Sequence, residues 1–441
     1  MHRRKFFLLV TTLVALVAMV SGCGGKSSAG TGTASQGKKT LRVMIWGSTE
    51  SATEYLKYFY EQFPDFAAKC NVEYFVGGPG DNDCAEKMRL ALASGESICD
   101  INQLNYTQIA EFARAGALME LEDLIGPVRN DLITGFRLLS EYDGKAYAVP
   151  ASIKAKIWFY RKDIFDQAGV SPSDVKTLDD FIAAGKKIQS INPNYHMWTM
   201  ATSQPMYQYM MALSGTDASF SDMNGKFLLT GNPNFKKILE AYRKLKLSGV
   251  VADVPEWTPD WEKAFADELL VSYPNATWLS LGQFLPKYAG PSQQGKWYAA
   301  QWPSFIGEVG GSEAGGDIYV IPKYSKEPEL AKEYMRLRFL TADGYFLQKK
   351  VGVSAVPMMR SWVNDPRATE PDPYIGGDYV GETVKSIETF KIFPWDPAAQ
   401  LELDIVGPYF DAAINGDTPI DTALRNAQAD LENQVGNPWD R

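Results

Sequence analysis

Tyr142-Asp143-Gly144-Lys145-Ala146-Tyr147-Ala148-Val149-Pro150, continued by Lys156-Ile157-Trp158-Phe159-Tyr160, is the stretch on which the reading of the fold turns. Asp143-Gly144 between two aromatic-rich runs is a hairpin signal, since both residue types tolerate the positive φ of a tight turn. The extended run after Pro150 is long enough to pass out of one lobe into another. The first crossing between lobes is expected near Ser152 to Ala155, with Trp158 and Phe159 as packing residues inside the crossing strand.

Upstream of this stretch, strands and helices alternate. Leu41 to Trp46 is nearly all apolar and ends at Gly47-Ser48, as a buried strand leaving its sheet does. Ser48 is expected to cap a helix whose apolar positions Tyr55, Phe59 and Phe63 recur until Pro64 stops it. Val72 to Val76 reads as a second strand, closed by Gly77-Gly78-Pro79-Gly80. A helix from about Cys84 follows, with Met88, Ala91 and Leu92 on one face and Gly95 as its C-cap. Ile98 to Leu104 reads as a third strand, followed by a helix striped by Ile109, Phe112 and Ala113 and ended by Gly116. This order predicts a parallel sheet covered on both faces. In such sheets ligands bind beyond the carboxyl ends of the strands, here Trp46-Gly47-Ser48, Gly77 to Asp83 and Asn105-Tyr106.

Downstream the logic repeats. A helix is expected from about Thr177, with Phe181, Ala184 and Ile188 on its apolar face. His196 to Met200 and Leu269 to Tyr273 read as strands. Each is followed by a polar and aromatic loop, Gln204 to Tyr207 and Asn275 with Trp278.

The N-terminus carries His2-Arg3-Arg4-Lys5, an apolar run from Phe6 to Val20, then Ser21-Gly22-Cys23. That is the layout of a removable secretory signal, too short and wrongly flanked for a spanning helix. The small-small-Cys ending resembles a bacterial lipoprotein signal, so Cys23 is the expected site of lipid attachment. The Gly/Ser/Thr-rich residues to position 40 read as a flexible tether. Removing residues 1–22 takes away three basic residues and no acid, which moves the net charge from −9 to −12. A body this acidic lacks the positive footprint that nucleic acid or anionic lipid requires. About 400 residues exceed what one core comfortably supports, which makes two lobes the default.

Three cysteines remain beside Cys23, namely Cys70, Cys84 and Cys99, so at least one is unpaired within the chain or all are free thiols. His196 is the one histidine left after the signal, which excludes a His-rich metal centre and would force any Ser-His or Cys-His mechanism through it. Asp81-Asn82-Asp83 lacks the glycine and distal glutamate of a calcium loop and reads as a turn and helix cap. No catalytic residue, metal or cofactor is expected.

Four stretches, in order, resemble the extracellular solute-binding proteins of the maltose-binding type, lipoprotein receptors of ABC sugar importers. They are Ala85 to Leu124 with Ala93-Ser94-Gly95 and Ala115-Gly116-Ala117-Leu118; the hairpin and crossing segment through Tyr160-Arg161-Lys162-Asp163 and Ala168-Gly169; Gly315-Gly316-Asp317 with Val320-Ile321-Pro322-Lys323 to Phe339-Leu340; and Asn415-Gly416-Asp417-Thr418-Pro419 with Ala423-Leu424 and Ala427. Two places depart from the pattern. Asp267-Glu268-Leu269 replaces a Gly-Lys and a small-Met pair, and Arg161 stands where Asn is commoner.

The resemblance implies an α/β, type II-like periplasmic-binding-protein fold, with hinge-linked lobes and a ligand cleft between them. It implies an N-terminal lobe of 41–152 plus about 318–360 and a C-terminal lobe of about 153–317 plus about 361–441. A sugar needs flat aromatic platforms ringed by polar groups. The candidate stacking residues are Trp278 first, then Trp46, Tyr106, Trp302 and Trp395; the hydroxyl partners are Ser48, Glu50, Asn105, Asn275 and Asp317. Gly316 is expected to let the backbone approach the ligand. The implied partners are a carbohydrate and the permease of an ABC transporter, with a lipid anchor as the link to the membrane, no nucleic acid, and a monomeric chain on the outer side of the cell membrane. A polyamine or other small polar solute, and a secreted glycan hydrolase, are the alternatives.

Overall fold

A computed structural model of the chain describes residues 37–201, 219–222, 224–256, 258–276, 285–303, 305–306, 313–353, 356–372, 374–389 and 396–440. Its elements lie in the body Lys38–Arg441. Twelve strands are described: β1 (Lys39–Trp46), β2 (Cys70–Gly78), β3 (Ile101–Asn105), β4 (Glu141–Tyr142), β5 (Lys145–Ala146), β6 (Val149–Arg161), β7 (Trp198–Thr199), β8 (Val251–Ala252), β9 (Ser272–Ala276), β10 (Trp297–Ala300), β11 (Glu313–Val320) and β12 (Ile375–Gly376). β12, β10, β6, β11, β3, β1 and β2 lie side by side in one sheet, and β9 also pairs with β6.

The first three strands are parallel, as the alternating sequence requires, with helices Glu50–Gln62 and Asp81–Ala93 between them. The sheet as a whole is mixed, which corrects the expectation of a parallel sheet. β11 runs antiparallel to both β3 and β6 and fits between them, and β9 and β10 run antiparallel to β6. Nothing in the local pattern of β3 or β6 announces a neighbour supplied from more than 150 positions away.

Asp143 and Gly144 have φ of 49° and 74°, the backbone of a primed two-residue turn, and close the β4–β5 hairpin as read. β6 is the longest strand, and it changes partners along its length. Val149 to Ala155 pairs with β11, whereas Lys156 to Tyr160 pairs with β9. The switch at Ala155/Lys156 falls at the edge of the expected crossing.

Alternation splits β6 into two faces. One is sealed by the helix Thr134–Ser140, whose Gly135 leaves room for the Ile153 side chain, and by the helix Tyr379–Glu388, whose Tyr379 ring lies 6.1 Å from Phe159. The other carries Ser152, Lys154, Lys156, Trp158 and Tyr160. Trp158 and Phe159 are fully buried, as expected of packing residues.

Local expectations fare unevenly. Gly95 and Gly116 take the left-handed conformation that ends their helices. Thr177 caps the helix Leu178–Gln189, which buries Phe181, Ala184 and Ile188. Ser48 does not occupy the N-cap of the first helix; Thr49 does, and the Ser48 hydroxyl accepts the Glu50 N–H at 3.4 Å. The later strands are shifted: β7 covers Trp198–Thr199, with His196 in a single bridge to Leu270, and β9 begins at Ser272. Cys70, Cys84 and Cys99 are buried free thiols. Burial holds the Cys70 and Cys84 thiols up at about 11 and Cys99 at about 12, so they stay protonated and unreactive.

Candidate functional site

Four strands bring one polar group together. Asp317 in β11 lies opposite Asn105 of β3 on one side and Ser152 of β6 on the other. Its Oδ2 accepts the Ser152 hydroxyl at 2.5 Å and its Oδ1 accepts the Lys154 ammonium at 2.8 Å. That ammonium lies 5.9 Å from the centre of the Trp46 ring, at the carboxyl end of β1. The side chains of Lys154 and Asp317 keep 24% and 17% of their exposure, so the pair meets solvent and holds its geometry more than it stabilises the fold.

Two residues further along the same face of β6, Lys156 is buried at 2% exposure. Its ammonium sits 4.5 Å from the centre of the Trp302 ring. Burial pulls it down to about 7. Trp302 itself is half-buried and packs against Trp158, Trp198 and Phe305 at centroid distances of 6.5, 5.8 and 4.7 Å. Polar groups next to indole rings can take a small solute that offers an apolar face and a hydroxylated edge.

The residues named from sequence divide clearly. Trp46, Asn105 and Asp317 converge, although the Asn105 side chain also accepts Thr107 N–H and starts the turn Tyr106–Gln108. Tyr106 is a correction: at 3% exposure it belongs to the core with Ile109 and Phe112 instead of the rim. Gly316 is another, because a Cβ there would meet Leu139 Cδ1 at 2.6 Å. Its lack of a side chain admits a helix, not a ligand. Ser48 and Glu50 are exposed beside the first helix, and Glu50 is a first-turn acid. Asn275 is described in its backbone alone, opposite Ile157 in β9. Trp278, Trp395 and Cys23 lie outside the described residues.

Sequence reading missed Ser152, Lys154 and Lys156. Their signal was present as polar residues at every second position of a strand otherwise apolar enough to be read as pure crossing. Asp83 and Asn82 behave as the turn reading held, since Asp83 accepts Gly80 N–H at 2.9 Å and Asn82 accepts from Gln108 at 3.2 Å.

The longest strand of the sheet is shared between two sets of partners, with charged and indole side chains where the partners change, an arrangement suited to a receptor for a small solute. The chain belongs to the bacterial extracellular solute-binding protein family, whose model matches residues 61–351. Members of this family bind, and their class is exported. Among the described residues no helix is long and apolar enough to cross a membrane.

The arabinooligosaccharide-binding protein of Bacillus subtilis (strain 168) is 24% identical over 75% of this chain and 74% of its own length. The diacetylchitobiose binding protein of Streptomyces coelicolor is 24% identical over 93% of this chain and 94% of its own. The solved sugar-binding protein MalE of Xanthomonas citri matches with a TM-score of 0.75 at 20% identity, covering 90% of this chain and 97% of that one. The fold is therefore the two-lobed α/β fold of periplasmic receptors.

Proposed function

We propose that the chain is the substrate-binding component of an ABC importer, which captures a carbohydrate outside the cytoplasmic membrane and delivers it to the permease. The observation that carries this reading is the Asp317–Ser152–Lys154 group beside Trp46. It offers hydroxyl partners and an aromatic face where β1, β3, β6 and β11 lie together. Relatives named for arabinooligosaccharide and diacetylchitobiose binding support the same ligand class.

In this reading the N-terminal lobe spans 41–152 plus about 318–360, and the C-terminal lobe about 153–317 plus about 361–441. Ligand contacts to both lobes form together on closure, which shifts the open-to-closed equilibrium that the permease senses. Trp278, Trp395 and Asn275 remain proposed contacts. Lipid on Cys23 and the tether after it keep a monomeric receptor beside its permease. A polyamine is disfavoured because Asp317, the acid of this group, is already paired with Lys154, and a second lysine follows on the same face of β6.

Thermal-shift screening against mono- and oligosaccharides tests the ligand class. A sugar at a hundred times its Kd should stabilise the folded state by about 2.7 kcal/mol. Stabilisation by spermidine with no response to any sugar would overturn the carbohydrate reading, and turnover of an oligosaccharide would overturn the binding reading. Trp46→Ala should weaken sugar binding by about tenfold or more while leaving the free protein's melting temperature nearly unchanged. An equal loss of stability would make Trp46 a packing residue.

A further inference from the structure

The two lysines that alternate along one face of β6 differ in one respect. Lys154 has a carboxylate, Asp317, at 2.8 Å. Lys156, roughly 7 Å further along the strand, has none among the described residues and lies against the Trp302 ring instead. Burying an ammonium costs several kcal/mol, of which a ring face returns about 2. A Met of the same length would pack there without that cost, so the amine points to a requirement beyond packing.

The surroundings repeat the asymmetry. The indole N–H groups of Trp158 and Trp198, both fully buried, have no hydrogen-bond partner among the described residues. Both rings meet Trp302 edge-on, at interplanar angles of 85° and 73°. Two unpartnered indole donors and an ammonium with no carboxylate among the described residues thus flank one half-buried ring. A hydroxyl brings a donor with every acceptor, whereas an ionised carboxylate only accepts, through two oxygens. A carboxylate also supplies the counter-charge that restores the buried ammonium.

We propose that the ligand is an acidic saccharide, a uronate-bearing sugar or oligosaccharide, whose carboxylate pairs with Lys156 beside Trp302 while its hydroxyls reach Lys154 and Asp317. This rests on the carbohydrate reading and narrows it to one substrate class.

Calorimetric titration of the full mature protein with digalacturonate and with its methyl ester, and with a glucuronate-substituted xylobiose and its methyl ester, tests it. At least one acid should bind more tightly than its own ester by about thirtyfold or more, the loss expected when a buried charge pair is broken. Lys156→Met should remove that difference by weakening the acid far more than its ester, with thermal melting reporting that the variant is folded. Acids and esters bound alike, or weakened alike by Lys156→Met, would overturn the acidic-ligand proposal and leave the carbohydrate reading standing. Neutral sugars bound with no acid bound would do the same. No saccharide bound at all in the wider sugar screen would overturn both.

Discussion

At the scale of single residues, the two departures from the family pattern prove to be one interaction. Arg161, 1% exposed, donates to Asp163 at 2.9 and 2.7 Å and to Gln293 at 3.0 Å, and its guanidinium Nη1 lies 3.1 Å from Glu268 Oε2. Gln293 in turn accepts the Trp297 indole. Arg161→Met is expected to cost about 2–4 kcal/mol in chemical denaturation, because it strips a buried hub of its partners. Glu268→Gln should cost under about 1 kcal/mol, since the Glu268 side chain keeps 36% of its exposure. Equal losses in the two variants would contradict that ranking. Sequence reading saw both substitutions as oddities and could not join them, for 107 positions separate them and only the β6–β9 and β6–β10 pairings bring them close.

Glu402 and Asp396 form a second residue-scale case. Both are buried, Ser221 donates to Asp396 at 2.8 Å, and burial with the neighbouring Asp396 raises Glu402 to about 9. The folded value lies above the unfolded one of about 4.3. The contribution is therefore fully present below pH 4, and it is lost as pH rises through 9. Glu402→Gln should melt like the wild type near pH 4 and higher than it at pH 9. Lys156 titrates with the opposite sign in part of this window, so the difference between the two proteins, compared across pH, isolates the acid. A difference of the same size at both pH values would rule out this linkage.

At the scale of elements, β6 explains what was legible and what was not. Its hairpin entry, its length and its apolar character were readable from residues 142–163, because each depends on local backbone preference and alternation. Its polar face was in the sequence too, but Ser152 and Lys154 acquire a role only through Asp317, about 165 positions later. Tyr106 was misplaced because a strand-end aromatic followed by Ile109 and Phe112 shares the stripe of the helix it precedes. Gly316→Ala is the element-scale test. The added methyl would press on Leu139 Cδ1 at 2.6 Å and on the Ser152 carbonyl at 3.2 Å. It should destabilise the protein by about 1–3 kcal/mol, as overpacking does, with sugar affinity little changed in the folded variant. Lost affinity at full stability would return Gly316 to the ligand.

At the scale of the whole molecule, the fold class followed from alternation and the crossing strand, while Trp278 and Trp395 lie outside the described residues and stay proposals. The mixed sheet has a consequence in time as well as in space. β11 fills the gap between β3 and β6, yet it is translated some 150 residues after β6 ends. Until Glu313 to Val320 is available, the strands on both sides present open edges, and the central pairing closes the longest loop in the sheet. Refolding from denaturant should thus be slow and prone to association, and a chain cut before Glu313 should fail to refold cooperatively. A receptor that cannot close its central sheet early is one that stays threadable until its last third has been made.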